Sequence, residues 1–214
     1  MKANQFIQSI IFLFCIMAHT GKNELEKTKK NNLKDSTTNF TIILNDSFVT
    51  GKIIDQVICK TDPSQLYALY IPTIGNIQLL PIIYFFDPHG SLPLNKYKSL
   101  ADKYGFILAG SNNSKNGTDW PTTKNIINTL FNDSQKRLQV RRDRIYTCGF
   151  SGGAKVASYA AVDHNEVGGV IVGEAGLPDG MAATNFNFTL TILSGKGDMN
   201  MTDLVECFSA FMLA

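Results

Sequence analysis

A doubly wound, mostly parallel α/β sheet is the fold class this 214-residue chain predicts, and three observations predict it. The run Leu79 to Phe86 is continuously apolar, as a strand covered by helices on both faces must be. From there to Leu193, strand-like runs alternate with segments of helical spacing. Finally, Gly149-Phe150-Ser151-Gly152-Gly153 joins the strand-like Arg144 to Cys148 to the small-residue helical stretch Ala154 to Ala161, with no proline in either flank.

The elements follow in order. Phe40 to Leu44, Gly51 to Lys60 and Gln65 to Ile71 read as antiparallel hairpin strands at a sheet edge, separated by the turn pairs Asn45-Asp46 and Asp62-Pro63. Leu79 to Phe86 is the first central strand. Leu94 to Tyr104 places Tyr97, Leu100, Ala101 and Tyr104 at helical spacing and leads into the strand Phe106 to Gly110. After the polar loop from Ser111 to Asp119, the segment Thr122 to Val140 carries Ile126, Ile127, Leu130, Phe131 and Leu138 at helix-like intervals. Val167 to Val172 and Thr189 to Leu193 are two further buried strands, and Thr202 to Leu213 has an amphipathic helical pattern.

With 44% hydrophobic and 18% charged residues, the chain has material for one sizeable core and shows no internal repeat. A formal net charge of +2 gives no electrostatic reason to expect a nucleic-acid partner. Met1-Lys2 and the apolar run Ile10 to Ala18 outline a secretory signal peptide over residues 1–20, too short and too interrupted by Gln8-Ser9 for an integral membrane span. Cys15 raises lipidation of a new N-terminal cysteine as an alternative, though bulky Phe14 fits such a signal poorly. Residues 21–38, rich in Lys, Asn, Glu and Thr, read as a flexible linker, and residues 39–214 as the folded domain. Cys59, Cys148 and Cys207 would then remain, an odd number without metal-ligand spacing, so neither a disulfide framework nor a metal site is expected. No cofactor motif is present, since Gly149 to Gly153 lacks the Lys-Ser/Thr pair of a phosphate loop.

The chemistry-bearing feature is the serine at the strand-to-helix turn. Such a turn forces its central residue into strained backbone geometry, tolerated when the flanking positions carry no side chain, as at Gly149 and Gly153. The hydroxyl of Ser151 is thereby presented as a nucleophile, with the N–H of Gly152 open to a developing oxyanion. A second donor is expected from the loop Asp87-Pro88-His89-Gly90-Ser91 at the end of the first central strand. An orienting acid should follow a later strand. Asp198, closing the turn Ser194-Gly195-Lys196-Gly197-Asp198, is preferred to Glu174, which follows the preceding strand. The general base is missing from its expected place, because no residue after Asp198 is histidine. His19 falls in the signal segment, His164 should lie at the opposite edge of the sheet, and His89 sits on the oxyanion loop with unfavourable reach. Trp120, the one tryptophan, either lines a cleft or packs at its rim.

Taken together, Leu66-Tyr67-Ala68-Leu69-Tyr70-Ile71-Pro72, Asp87-Pro88-His89-Gly90, Gly105 to Asn113 and the Gly-Phe-Ser-Gly-Gly elbow resemble the α/β-hydrolase superfamily. Among its branches the chain is similar to exported esterases related to polyhydroxyalkanoate depolymerases and feruloyl esterases. The resemblance implies Ser151 as nucleophile, Asp198 as orienting acid, and the backbone of Ser91 and Gly152 as oxyanion hole. It implies a small-molecule or polymeric ester as substrate, cleaved through an acyl-enzyme, and a periplasmic or extracellular location. Against that pattern the chain lacks the last strand and its histidine loop, so it reads as C-terminally truncated or degenerate. Two other readings stand beside the hydrolase: a non-catalytic exported binding protein on the same scaffold, and an acyltransferase in which an alcohol replaces water.

Overall fold

The computed structural model describes residues 48–73, 79–178, 186–195, 198–202, 204–206 and 209. The expected signal and linker segments, the strand Phe40 to Leu44 and most of the segment from Thr202 to Leu213 lie outside or largely outside the described residues. Among the described residues, seven strands form one sheet: β1 (Ile53–Ile58), β2 (Leu66–Tyr70), β3 (Leu80–Phe86), β4 (Ile107–Ser111), β5 (Val140–Phe150), β6 (Val167–Gly173) and β7 (Thr189–Leu193). Their spatial order is β1-β2-β4-β3-β5-β6-β7. β1 and β2 pair antiparallel at one edge, and β2 is antiparallel to β4. Every remaining pair, from β4 across to β7, is parallel. The predicted edge hairpin and doubly wound sheet are therefore both present.

Helices α1 (Lys98–Tyr104), α2 (Trp120–Arg137) and α3 (Gly152–Asp163) cover this sheet, with a short 3-10 turn at Leu94–Lys96 before α1. The alternation of side chains along a strand assigns the faces. Leu80, Ile82, Tyr84 and Phe86 of β3 enter one core with Ile127, Leu130 and Phe131 of α2 and the alanines of α3. Ile83 and Phe85 enter the other core with Leu94, Tyr97, Leu100 and Ala101. This two-sided burial is why β3 shows no polar alternation in sequence.

Local signals set the helix ends. Asp119 accepts from Thr122 N at 2.9 Å as the N-cap of α2, with Pro121 in the first turn and Lys136 and Arg137 in the last. That start lies two residues before the predicted one, because the Asp119 cap recruits Trp120 and Pro121 into the helix. The predicted end at Val140 is instead the first residue of β5, an eleven-residue strand longer than the apolar run suggested. Gly105 at φ 73° ends α1 in the left-handed conformation.

One buried ion pair fastens the hairpin edge to α2. Asp133, with its side chain 2% exposed, accepts from Tyr67 Oη at 2.9 Å and from Lys60 N at 2.7 Å, and pairs with Arg137 at 2.8 Å. Arg137 also donates to the Ile58 carbonyl at 2.9 Å and lies over the Phe48 ring. Each partner of the carboxylate is thus a hydrogen-bond donor, the condition under which a buried charge is tolerated.

Candidate active site

Parallel strands bring their C-terminal ends to one edge, and the register aligns them. Phe86 of β3 pairs with Gly149, Phe150 of β5 with Gly173, and Gly173 of β6 with Leu193. The loop from Asp87 to Ser91, the serine at 151, Glu174 and Ser194 therefore leave four adjacent strands at the same level. At the usual strand spacing, β7 lies roughly 10 Å from β5, and β3 lies about 5 Å away on the other side.

Ser151 stands at the tip of the turn between β5 and α3, with φ 53° and ψ −125°. This is a region that L-residues occupy only when their surroundings force them. Two hydrogen bonds do so here. The Ser151 N–H donates to the Gly173 carbonyl at 2.7 Å, and the Ser151 carbonyl accepts from Ala154 N at 2.9 Å. The glycines allow the close approach: a Cβ on Gly149 would fall on the Gly153 carbonyl, and one on Gly153 would fall on the Phe86 carbonyl. β3, β5 and α3 are thus pressed together at the bend. Gly152 is the first residue of α3, so its N–H has no acceptor within the helix.

The loop after β3 is a tight turn. Gly90, at φ 82°, donates its N–H to the Asp87 carbonyl at 3.2 Å, which commits that donor and leaves Ser91, exposed, as the next one along. His89 belongs to the same turn, its backbone N–H donating to Asp87 Oδ1 at 2.8 Å and its Nδ1 standing 3.1 Å from that oxygen. Its side chain is 86% exposed. His164 precedes β6 and so lies at the opposite end of the sheet from Ser151. There it is locked by Asn128 at 2.9 Å, by Glu166 at 3.2 Å and by the face of Phe131. His19 lies outside the described residues.

Asp198 follows β7 and is half-buried. Its Oδ2 accepts from Ser194 Oγ at 2.8 Å and its Oδ1 from Asn200 N at 2.9 Å, which fixes the carboxylate. Glu174, at φ 55°, follows β6; its N–H donates to the Leu193 carbonyl at 3.0 Å and its carbonyl accepts from Asn200 Nδ2 at 2.7 Å. The two alternative acids of the sequence reading are therefore neighbours, joined through Asn200. Trp120 stacks on Tyr159 of α3 with ring centroids 5.0 Å apart, so it packs at the rim over the elbow helix.

Sequence reasoning missed Asn116. It lies in the polar loop after β4, exposed, with its carboxamide against Gly152: a Cβ on Gly152 would overlap Asn116 Oδ1. The neighbouring Gly117, at φ 82°, marked a turn there but not the direction of the side chain before it.

No family model matches the chain, and no curated protein matches it. Solved structures do. A dienelactone hydrolase-like promiscuous phosphotriesterase from metagenomic libraries superposes with a TM-score of 0.54 at 13% identity, over 68% of this chain and 71% of that one. A hyperthermophilic esterase from the archaeon Pyrobaculum calidifontis matches with a TM-score of 0.46 at 14% identity, over 80% of this chain. The chain spans about half, 51%, of that esterase's length. EstE1, a thermostable carboxylesterase cloned from a metagenomic library, matches with a TM-score of 0.46 at 16% identity, over 62% of this chain and 51% of that one. The mostly parallel seven-stranded sheet and the first of these superpositions define the α/β-hydrolase fold. Among the described residues, no strand follows β7 and no helix is long and apolar enough to cross a membrane.

Proposed function

We propose that this chain is a serine hydrolase domain that cleaves carboxylic esters through an acyl-enzyme. The observation that carries the reading is the backbone of Ser151, held at φ 53° and ψ −125° at the tip of the turn between β5 and α3. Ser151 Oγ adds to the ester carbonyl, the bond to the alcohol oxygen breaks, and the serine proton leaves with the alcohol. Water then cleaves the acyl-serine. The N–H groups of Gly152 and Ser91 hold the oxyanion, and Asp198 is the acid that orients a base.

Neither described histidine hydrogen-bonds Ser151, so acyl transfer carried by the described residues alone runs several orders of magnitude below that of a complete triad. The same observation favours a second reading, a non-catalytic binding protein that retains the cleft. The signal-like residues 1–20 and the resemblance to depolymerase and feruloyl esterase relatives support export and an ester ligand, small or polymeric. The test is labelling with a fluorophosphonate, whose phosphorus takes the serine oxygen and loses fluoride. Labelling that disappears in Ser151→Ala supports the hydrolase, and an unlabelled parent chain overturns it.

A further inference from the structure

We propose that Asn116 is a substrate-binding residue, its carboxamide N–H donating to the oxygen of the carbonyl group whose carbon Ser151 attacks; this rests on the serine-hydrolase reading above. Two other asparagines of the same loop serve the backbone. Asn112 Nδ2 donates to the Asp55 carbonyl at 2.7 Å, and Asn113 Oδ1 accepts from Leu66 N at 2.7 Å while its Nδ2 donates to the Ser64 carbonyl at 3.1 Å. Asn116 differs. Its backbone N–H donates to the Pro88 carbonyl at 2.9 Å, but among the described residues its carboxamide makes no hydrogen bond.

Position gives that carboxamide a task. The Pro88 bond and the bridge between Lys115 and His89 tie this loop to the turn that ends at Ser91. The side chain itself meets Gly152. Asn116 therefore joins the turn that leads to Ser91, through its backbone, to the head of α3, through its side chain. The chain on either side is held: Ser114 N donates to Ser111 Oγ at 3.1 Å before it, and the Asp119 cap and the stacking of Trp120 on Tyr159 follow it. A carboxamide carries two N–H donors and one acceptor oxygen, and rotation about its last bond turns either toward a ligand without moving the loop.

The test compares second-order rates of fluorophosphonate labelling at Ser151 in the full 214-residue chain and in two variants. Asn116→Ala removes the donor, and labelling is expected to slow on the order of tenfold, less than a fully buried oxyanion donor gives because Asn116 is exposed. Asn116→Asp keeps the shape but sets a negative charge against the oxygen that becomes anionic, so it is expected to be slower still. A wall that acted only by shape would leave the isosteric Asp variant at the parent rate. Rates in the order parent, Ala, Asp, with unchanged melting temperatures, support the assignment, and any other order overturns it. A parent chain unlabelled at Ser151 overturns the hydrolase reading and this inference together, whereas a labelled parent matched by its Ala variant overturns this inference alone.

Discussion

Ser151 N–H donates to the Gly173 carbonyl at 2.7 Å, so the strained serine is anchored to the neighbouring strand and not only to its own turn. Glu174, the residue that follows that strand, also has a positive φ and bonds onward to Leu193. A short chain of backbone bonds thus links the ends of β5, β6 and β7, the three strands that carry Ser151, Glu174 and Asp198. Geometry at the serine is consequently a property of the sheet edge.

The first prediction concerns the bend. Gly149→Ala and Gly153→Ala each drive a methyl group into backbone and should lower the unfolding free energy by about 3 kcal/mol. Gly168→Ala on β6, whose nearest neighbour would be the Ile145 carbonyl at 3.9 Å, should stay within about 0.5 kcal/mol of the parent. Ser151→Gly should gain about 1 kcal/mol by relieving the strain, after the entropic cost of glycine. Urea denaturation of the four variants checks all three statements.

Much of this was legible in the sequence because the signals were local. The continuous apolar run of β3, the glycines around Ser151 and the acidic residue after β7 each report their own surroundings. What was not legible depends on residues distant in sequence. Asp133 reads as a polar position on a helix, yet it is buried because Tyr67, Lys60 and Arg137 converge on it. Asn116 reads as one of several loop asparagines, and only the packing of its loop against α3 separates it from Asn112 and Asn113. The start of β5 was obscured by Arg141, Arg142, Asp143 and Arg144, charges that an outer strand end can keep in water.

A second prediction follows from Asp133. Removing a carboxylate that is 2% exposed leaves Arg137 facing a hole, and Asp133→Ala should cost about 3 to 5 kcal/mol in urea unfolding. The exposed pair of Lys98 and Asp102 is a useful contrast, since Lys98→Ala should leave the urea midpoint nearly unchanged.

The third concerns alkaline pH. Burial first, and then the charge of Asp133, pushes the Cys59 thiol up to about 12, while burial alone raises Cys148. Unfolded thiols ionise at about 8.5. Above that value the unfolded state releases protons that the folded state retains, so stability present below it is lost as pH rises toward the folded value. Urea midpoints measured at pH 8 and pH 9.5 should therefore fall, and Cys59→Ala should shrink the fall.

A fourth uses a base from solution. Neutral imidazole should raise the rate of fluorophosphonate labelling at Ser151 by supplying the acceptor that the described histidines do not, and Asp198→Ala should remove most of the increment while sparing the basal rate. Because the neutral form accepts the proton, the increment should grow as pH rises through the imidazole titration. The measurement is labelling rate against imidazole concentration at several pH values.

The most direct test of the central claim is the mass of the protein after incubation with an activated ester, followed by peptide mapping. A single added acyl group is expected on the peptide that contains Ser151, accumulating because the described histidines do not serve deacylation either. An unmodified protein, or an acyl group on any other residue with Ser151 untouched, would contradict it.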